Sequence, residues 1–286
     1  MERKINILIA CEESQTVCKA FRALGFEAYS CDIIEPSGGK PEWHIKQDVL
    51  PLINGNCKFR TLDGTDHEIT GKWDLIIAHP PCTNLAVSGM RWFKEGRKPY
   101  YLIDEASDFF MKFINADCEH IAVENPVCVM SSRYRKPDQI INPWQFGHPE
   151  QKKTCLWLKG LPKLKETNNV YNEMMQLPLK QRTRIWQLGS NHSKERSKTY
   201  SGIAEAMAQQ WGVYLMERKV ITIRRHTGNG LTRCDLCDNL TWDVMTKGYY
   251  NGYNNISLTL CSECGLETEK FWIARGYVLK EERDNG

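Results

Sequence analysis

Residues 5–32 read INILIACEESQTVCKAFRALGFEAYSCD, and three short patterns within them decide the fold class. Ile5 to Ala10 is an apolar run of the kind that forms a strand buried on both faces. Ser14 is a favourable N-cap residue. After it Val17, Ala20, Phe21 and Leu24 recur at helical spacing, and Gly25 is placed to stop the helix. Phe26 to Cys31 reads as a second strand, with Asp32 at its tip. A strand–helix–strand opening with an acidic residue there is the nucleotide-binding start of a doubly wound sheet, so the pattern predicts an α/β, Rossmann-like domain.

Outward from this opening, WDLIIA (73–78) predicts a central strand that runs into His79-Pro80-Pro81-Cys82-Thr83. A helix is expected over about 101–116, with Phe109, Phe110 and Phe113 on its apolar side. His120 to Val123 predicts a strand ending at Glu124-Asn125-Pro126, TCLWL (154–158) another, and about 202–214 a last helix with Ile203, Met207 and Trp211 on one stripe. Residues 36–72 are polar and glycine-containing, and loops are expected there. From about residue 216 the composition changes to aromatic and asparagine-rich turns such as GYYNGYNN (248–255). The boundary predicts two domains, 1–216 and 217–286.

The chain is 41% hydrophobic and 26% charged, ordinary for a globular protein, and no apolar run approaches the roughly 20 residues of a membrane span. The N-terminus has no signal-peptide pattern, so a cytoplasmic location is expected. A net charge of +3 does not by itself imply a polyanionic partner, although basic residues are dense between 180 and 235. Of twelve cysteines, eight are scattered and read as reduced, mostly buried thiols. The other four, Cys234-x-x-Cys237 and Cys261-x-x-Cys264, have the paired spacing of a closed tetrahedral Zn²⁺ site, and a structural zinc ribbon is expected. Arg224 and Arg225 just before it are candidate nucleic-acid contacts.

Ligands of open α/β sheets lie beyond the carboxyl ends of the strands. Three such ends carry reactive groups: Asp32, the HPPCT loop and the ENP loop. Cys82 is a thiol on a loop stiffened by Pro80 and Pro81, and Glu124 is a carboxylate on the following strand end. IIAHPPCT resembles the Pro-Cys motif of DNA cytosine-C5 methyltransferases, and AVENP their Glu-Asn motif. The resemblance spans about residues 5–212 and looks closest to the compact methyltransferase-like proteins of bacteriophages and prophages. It implies that Cys82 is the nucleophile that adds to carbon 6 of a flipped-out cytosine in double-stranded DNA. Glu124 then contacts N3, with Asn125 and Pro81 as supports.

The same resemblance implies S-adenosylmethionine as cofactor. Asp32 and Asp48 stand where the family places acidic contacts to it. Pro80 lies beside it, and Ser201 and Gly202 of YSGIA resemble the final cofactor motif. Gln151, Lys152 and Lys153 resemble a variant of the segment that braces the active-site loop and the DNA backbone. Two departures stand out. The family's glycine-rich first loop is here Ala10-Cys11-Glu12-Glu13-Ser14-Gln15, which suggests Glu12 or Glu13 near the cofactor's amino group. Residues 160–199 leave room for only a short target-recognition insertion. Two alternatives remain open: cytosine modification of RNA or with another donor, and a non-catalytic DNA-binding or host-interfering protein on a methyltransferase core. An amino-methyltransferase fits poorly, because His79 and Cys82 flank the two prolines where an amine-binding side chain and a stacking aromatic are wanted.

Overall fold

The computed structural model describes residues 4–188, 192–216, 220–234, 236–237, 240–249, 256–273 and 278–282. Of residues 193, 220–232, 240–249, 256–259, 262, 271–273 and 278–282 it describes the backbone alone. The chain divides into two compact units, Met1–Leu215 and Met216–Gly286.

The first unit is built on a seven-stranded, mostly parallel sheet. Its strands are β1 (Asn6–Ala10), β2 (Glu27–Asp32), β3 (His44–Lys46), β6 (Leu75–Ala78), β7 (Ile121–Pro126), β8 (Gln139–Ile141) and β9 (Thr154–Lys159), in the order β3-β2-β1-β6-β7-β9-β8. β9 runs antiparallel to both β7 and β8. Apolar runs form these strands because both faces are covered. Leu8, Ala10, Ile76, Ala78, Ile121 and Val123 point to one side, where Phe110 and Phe113 of helix α3 (Tyr101–Ile114) pack. Ile7, Ile9, Leu75, Ile77 and Ala122 point to the other. There they meet Phe21 of α1 (Thr16–Ala23) and Met207 and Trp211 of α9 (Ser201–Met216). The alternation follows from the two-residue period of a strand, and each large side chain buried this way contributes about 1.5–3 kcal/mol. Short helices complete the unit: α2 (Met90–Lys94), α4 (Met130–Arg133), α5 (Tyr171–Gln176), α6 (Leu179–Arg182), α7 (Arg184–Gln187) and α8 (Ser193–Ser197).

Two expectations are corrected. Residues 36–72 are not only loop: they hold β3 and an antiparallel hairpin of β4 (Cys57–Arg60) and β5 (Asp66–Ile69). Leu52, Phe59 and Trp73 are buried around it, with Phe59 stacked on Trp73 at 6.1 Å. Ser14 is not the N-cap of α1. That position is Gln15, in the left-handed region at φ 56°, and the capping carboxylate comes from Glu12.

The second unit has a four-stranded sheet in the order β12-β11-β10-β13, formed by β10 (Val220–Arg233), β11 (Leu240–Tyr249), β12 (Ile256–Leu260) and β13 (Val278–Glu282). Helix α10 (Ser262–Ile273) follows β12.

Candidate active site

The order β2-β1-β6-β7 reverses between β1 and β6, and a crevice outside the carboxyl ends of strands at such a switch point is where open α/β sheets bind ligands. The loop after β6 carries His79 to Cys82, and β7 ends in Glu124 and Asn125. The register Ala78↔Val123 makes His79 and Glu124 the next neighbours across the pair. Backbone bonds sew the two loops together: Val87 N–H donates to Val127 O at 3.1 Å, and Val129 N–H to Leu85 O at 3.0 Å. Asn125 is buried and donates through Nδ2 to Pro80 O at 2.8 Å, so its amide braces the proline loop. Its Oδ1 has no partner.

The Cys82 thiol is half-buried at the mouth of this pair. Burial pushes it up, and the neighbouring Glu124 charge pushes it the same way, while Lys152 and Arg196 pull it down. The net direction is up, so the resting side chain is the thiol, and the two cations offset part of the cost of forming the nucleophilic thiolate. Glu124 is held below the ordinary carboxylate range. Burial works against ionisation, but His79 outweighs it through a hydrogen bond and its charge, with Lys152 adding to the effect. Nδ1 of His79 lies 3.0 Å from Glu124 Oε2.

Lys152 stands here rather than only toward solvent. Its ammonium faces Glu124 and Cys82, donates to Lys198 O at 3.3 Å, and is pushed down by burial. Lys153 is exposed, and Gln151 is fixed by its backbone N–H to Arg182 O at 2.7 Å. The structure also points to a stretch that the motif reading passed over. Arg91, Lys94 and Arg97 are exposed beyond Cys82, Lys98 is half-buried, and the Arg91 and Arg97 guanidinium groups lie 4.4 and 4.8 Å from the Trp92 ring. Four basic residues within eight, interleaved with an aromatic, were the available signal.

The loop after β1 is closed upon itself. Cys11 takes φ 58°, a left-handed conformation at a position where glycine would be unstrained, at a cost of roughly 1–3 kcal/mol. Glu12 is buried and turned inward. Its carboxylate accepts Val17 N–H at 2.6 Å and Cys18 N–H at 3.1 Å. Burial pushes its carboxyl up against these bonds and the His79 charge. Ser14 Oγ takes Thr16 N–H at 3.4 Å, and Lys19 N–H goes to Gln15 O. The first turn of α1 therefore has no backbone donor left for a ligand carboxylate.

The other acids line the open side. Asp32, raised by burial, and the exposed Asp48 both face Cys11, and Glu13 accepts Ser37 N–H at 3.2 Å. Asp32, Asp48 and Glu13 are the acidic side chains here that could hold the cationic cofactor the resemblance implies, while the Glu12 carboxylate is taken up by α1.

Ser201 and Gly202 are engaged by the chain itself. Gly202 N–H donates to His148 Nε2 at 3.1 Å, and Ser201 Oγ lies 3.3 Å from the same nitrogen. A Cβ on Gly202 would collide with the Phe146 carbonyl oxygen, so close backbone approach accounts for that glycine. A groove of about 870 Å³ between α1 and α9 includes Ser201, Lys19, Arg184 and Lys198. It contains none of Cys82, Glu124, Asp32 and Asp48.

In the second unit the four sulfurs of Cys234, Cys237, Cys261 and Cys264 lie within 4.8 Å of one another, with Cys237 and Cys261 at 3.7 Å. Tetrahedral Zn–S bonds of about 2.3 Å require sulfurs roughly 3.8 Å apart, so this set fits a zinc ion. The ribbon expectation is corrected in one respect. The first pair follows β10 in a turn, but the second lies at the entry of a helix, α10, rather than in a second strand turn. Arg224 and Arg225 fall on β10, whose side chains lie outside the described residues.

The fold and site thus define a Rossmann-like α/β unit with a thiol–carboxylate pair at its switch point. No family model matches the chain, and no curated protein does. Among solved structures it is similar to a methyltransferase of Entamoeba histolytica, EhMeth, at 16% identity and a TM-score of 0.35. The match covers 59% of this chain and 58% of that one, and a likeness so slight carries no inference about chemistry. No described helix is long and apolar enough to cross a membrane.

Proposed function

We propose that the protein is a DNA cytosine-C5 methyltransferase with Cys82 as nucleophile. The observation that supports this most is the sewing of the Pro-Cys loop to the Glu-Asn strand end, which gives a thiol and a carboxylate one shared, half-buried mouth. Carbon 5 of cytosine is a poor nucleophile until a thiolate adds at carbon 6 and makes it enamine-like. Cys82 supplies the thiolate, against burial and the Glu124 charge, with Lys152 and Arg196 offsetting part of that cost. Glu124 binds N3 and stabilises the charge that develops on the ring. Asn125 and Pro80 hold the loop so that thiol and carboxylate approach the base from fixed directions. S-adenosylmethionine, when bound by Asp32, Asp48 and Glu13, supplies an electrophilic methyl group. Cys82 leaves carbon 6 once the carbon-5 proton has been removed. The base must come out of its stack to reach this mouth. Arg91, Lys94, Arg97 and Lys98 beyond Cys82 provide phosphate contacts for the DNA.

The test is mass spectrometry of nucleosides from DNA incubated with the protein and S-adenosylmethionine, with Cys82→Ser as control. 5-Methylcytosine that depends on Cys82 is expected. The self-capped α1 favours a second reading, a core that binds DNA without methyl transfer. Titration calorimetry with S-adenosylmethionine separates the two, because that core gives no heat of binding. For the second unit, the reading is a structural zinc site of Cys234, Cys237, Cys261 and Cys264. Elemental analysis should find about one zinc per chain and none in Cys261→Ser, and the module should unfold with the loss of its metal.

A further inference from the structure

We infer that His79 is a positioning residue of this site, gripping one oxygen of Glu124 so that the other is presented to the substrate base. The inference rests on the reading of Glu124 as the base-binding carboxylate.

Three geometric facts carry it. First, His79 is anchored on both sides. Its backbone N–H donates to Ala10 O of β1 at 2.9 Å, and its Nδ1 meets Glu124 Oε2 at 3.0 Å. The residue, through its backbone on one side and its ring on the other, therefore bridges the two strands that flank the strand end of β6. Second, both side chains are nearly sealed, His79 at 9% and Glu124 at 14% exposed, so their hydrogen bond is little weakened by water. Third, Nε2 of His79 is buried without a partner. Buried polar atoms are almost always paired, and an orphan in a packed site marks a role other than stability.

The tautomer follows. Oε2 of an ionised carboxylate only accepts, so Nδ1 carries the hydrogen and donates it. With Oε2 occupied, Oε1 is the oxygen left for cytosine N3, and any proton Glu124 carries for N3 must sit there. The surroundings name the groups that act on the imidazole. Glu124 faces it from β7, Glu12 from the loop after β1 and Lys152 from the approach to β9. Cys82 follows on its own loop, and Arg196 faces Cys82 and Lys152. Burial pushes the imidazole down. The Glu124 hydrogen bond, the Glu124 charge and the Glu12 charge together push it further up, against Lys152, and the net direction is up. Glu12 thereby acquires a second task besides capping α1. Its charge, where it ionises against its own burial, favours the protonated ring beside Glu124.

Two measurements test this. The first needs neither DNA nor cofactor: nuclear magnetic resonance of ¹⁵N-labelled histidine rings across a pH titration, with the His79 signal assigned by its loss in His79→Asn. His79 should titrate above the ordinary histidine value in the wild type, below that position in Glu124→Gln, and in between in Glu12→Gln. A His79 ring that titrates alike in the wild type and Glu124→Gln overturns the inference. The second is the pH profile of methyl transfer. His79→Ala should lower kcat on the order of 100-fold, and the ionisation belonging to Glu124 should move to higher pH. His79→Asn keeps a donor near the Nδ1 position and should recover most of the rate without restoring the profile. An unchanged profile in both variants also overturns it. If the wild type forms no methylated base, the proposed reaction falls, and the resonance titration still decides whether His79 and Glu124 act as a pair.

Discussion

The loops that follow β1 and β6 leave the same edge of one sheet, yet they use their polar groups in opposite ways. After β1, Glu12 turns inward to cap α1, Ser14 takes Thr16 N–H, Gln15 bonds Ser30 Oγ and both backbone groups of Lys40, and Glu13 holds Ser37. After β6, His79 keeps a bare Nε2, Asn125 on the neighbouring strand keeps a bare Oδ1, and Cys82 stands half-exposed with two cations turned toward it. One loop is satisfied by the chain alone, and the other is satisfied only in part. Incomplete satisfaction costs stability, and two of the orphaned buried atoms among the described residues lie here, beside a thiol and a carboxylate.

If the comparison is right, substitutions in the second loop cost activity and those in the first cost stability. Cys82→Ser should have the largest effect, a loss of roughly 1,000-fold or more in methyl transfer, with little change in melting temperature; thermal unfolding beside a turnover assay checks both halves. Glu12→Ala comes next. It leaves two buried N–H groups of α1 without an acceptor, which costs about 1–3 kcal/mol, or roughly 2–12 °C in Tm at 2–4 °C per kcal/mol. An unchanged Tm would break the comparison.

Gly202→Ala forces α9 away from the Phe146 carbonyl and should cost about 1–3 kcal/mol by the same assay. The smallest effect is a pH dependence. Glu124 is lowered from 4.5, so its contribution is present above that value and fades as pH falls through the lowered one. His79 is raised from 6.5, so its contribution is full below that value and is lost as pH rises through the raised one. The stability difference between the wild type and His79→Asn should therefore be greatest between about pH 4.5 and 6.5 and shrink on either side, as chemical denaturation at several pH values would reveal.

The three-residue strands β3 and β8 carry no clear signal, but β1, β2, β6, β7 and β9 were legible, since strands covered on both faces are written as apolar runs such as INILIA and WDLIIA. The hairpin of β4 and β5 was not. CKFR and DHEI bury only alternate side chains, and their partner lies across a turn rather than in the same run. The capping of α1 was misread for a related reason. Ser14 has the right chemistry locally, but the left-handed backbone at Cys11 and Gln15 brings Glu12 to the helix end instead. Cys82 and Glu124 were visible as motif residues. Lys152 was read as part of a segment bracing the active-site loop and DNA backbone, and its approach to Cys82 and Glu124 depends on β9 pairing antiparallel with β7, which spacing alone does not encode. His79 looked like a packing residue beside a motif; only the register of β6 against β7 turns it toward Glu124. The second cysteine pair was legible as partner to the first, with which its sulfurs cluster, but the helix it opens was hidden by its polar composition.

The most direct test of the central claim uses DNA in which the target cytosine carries fluorine at carbon 5. Fluorine cannot be removed as the proton is, so a thioether formed at carbon 6 has no way to break after methyl transfer. Incubation with S-adenosylmethionine, proteolysis and mass spectrometry should recover a peptide joined to the base through Cys82. A base joined to a different cysteine, or no adduct from a protein that methylates ordinary DNA, would contradict the account.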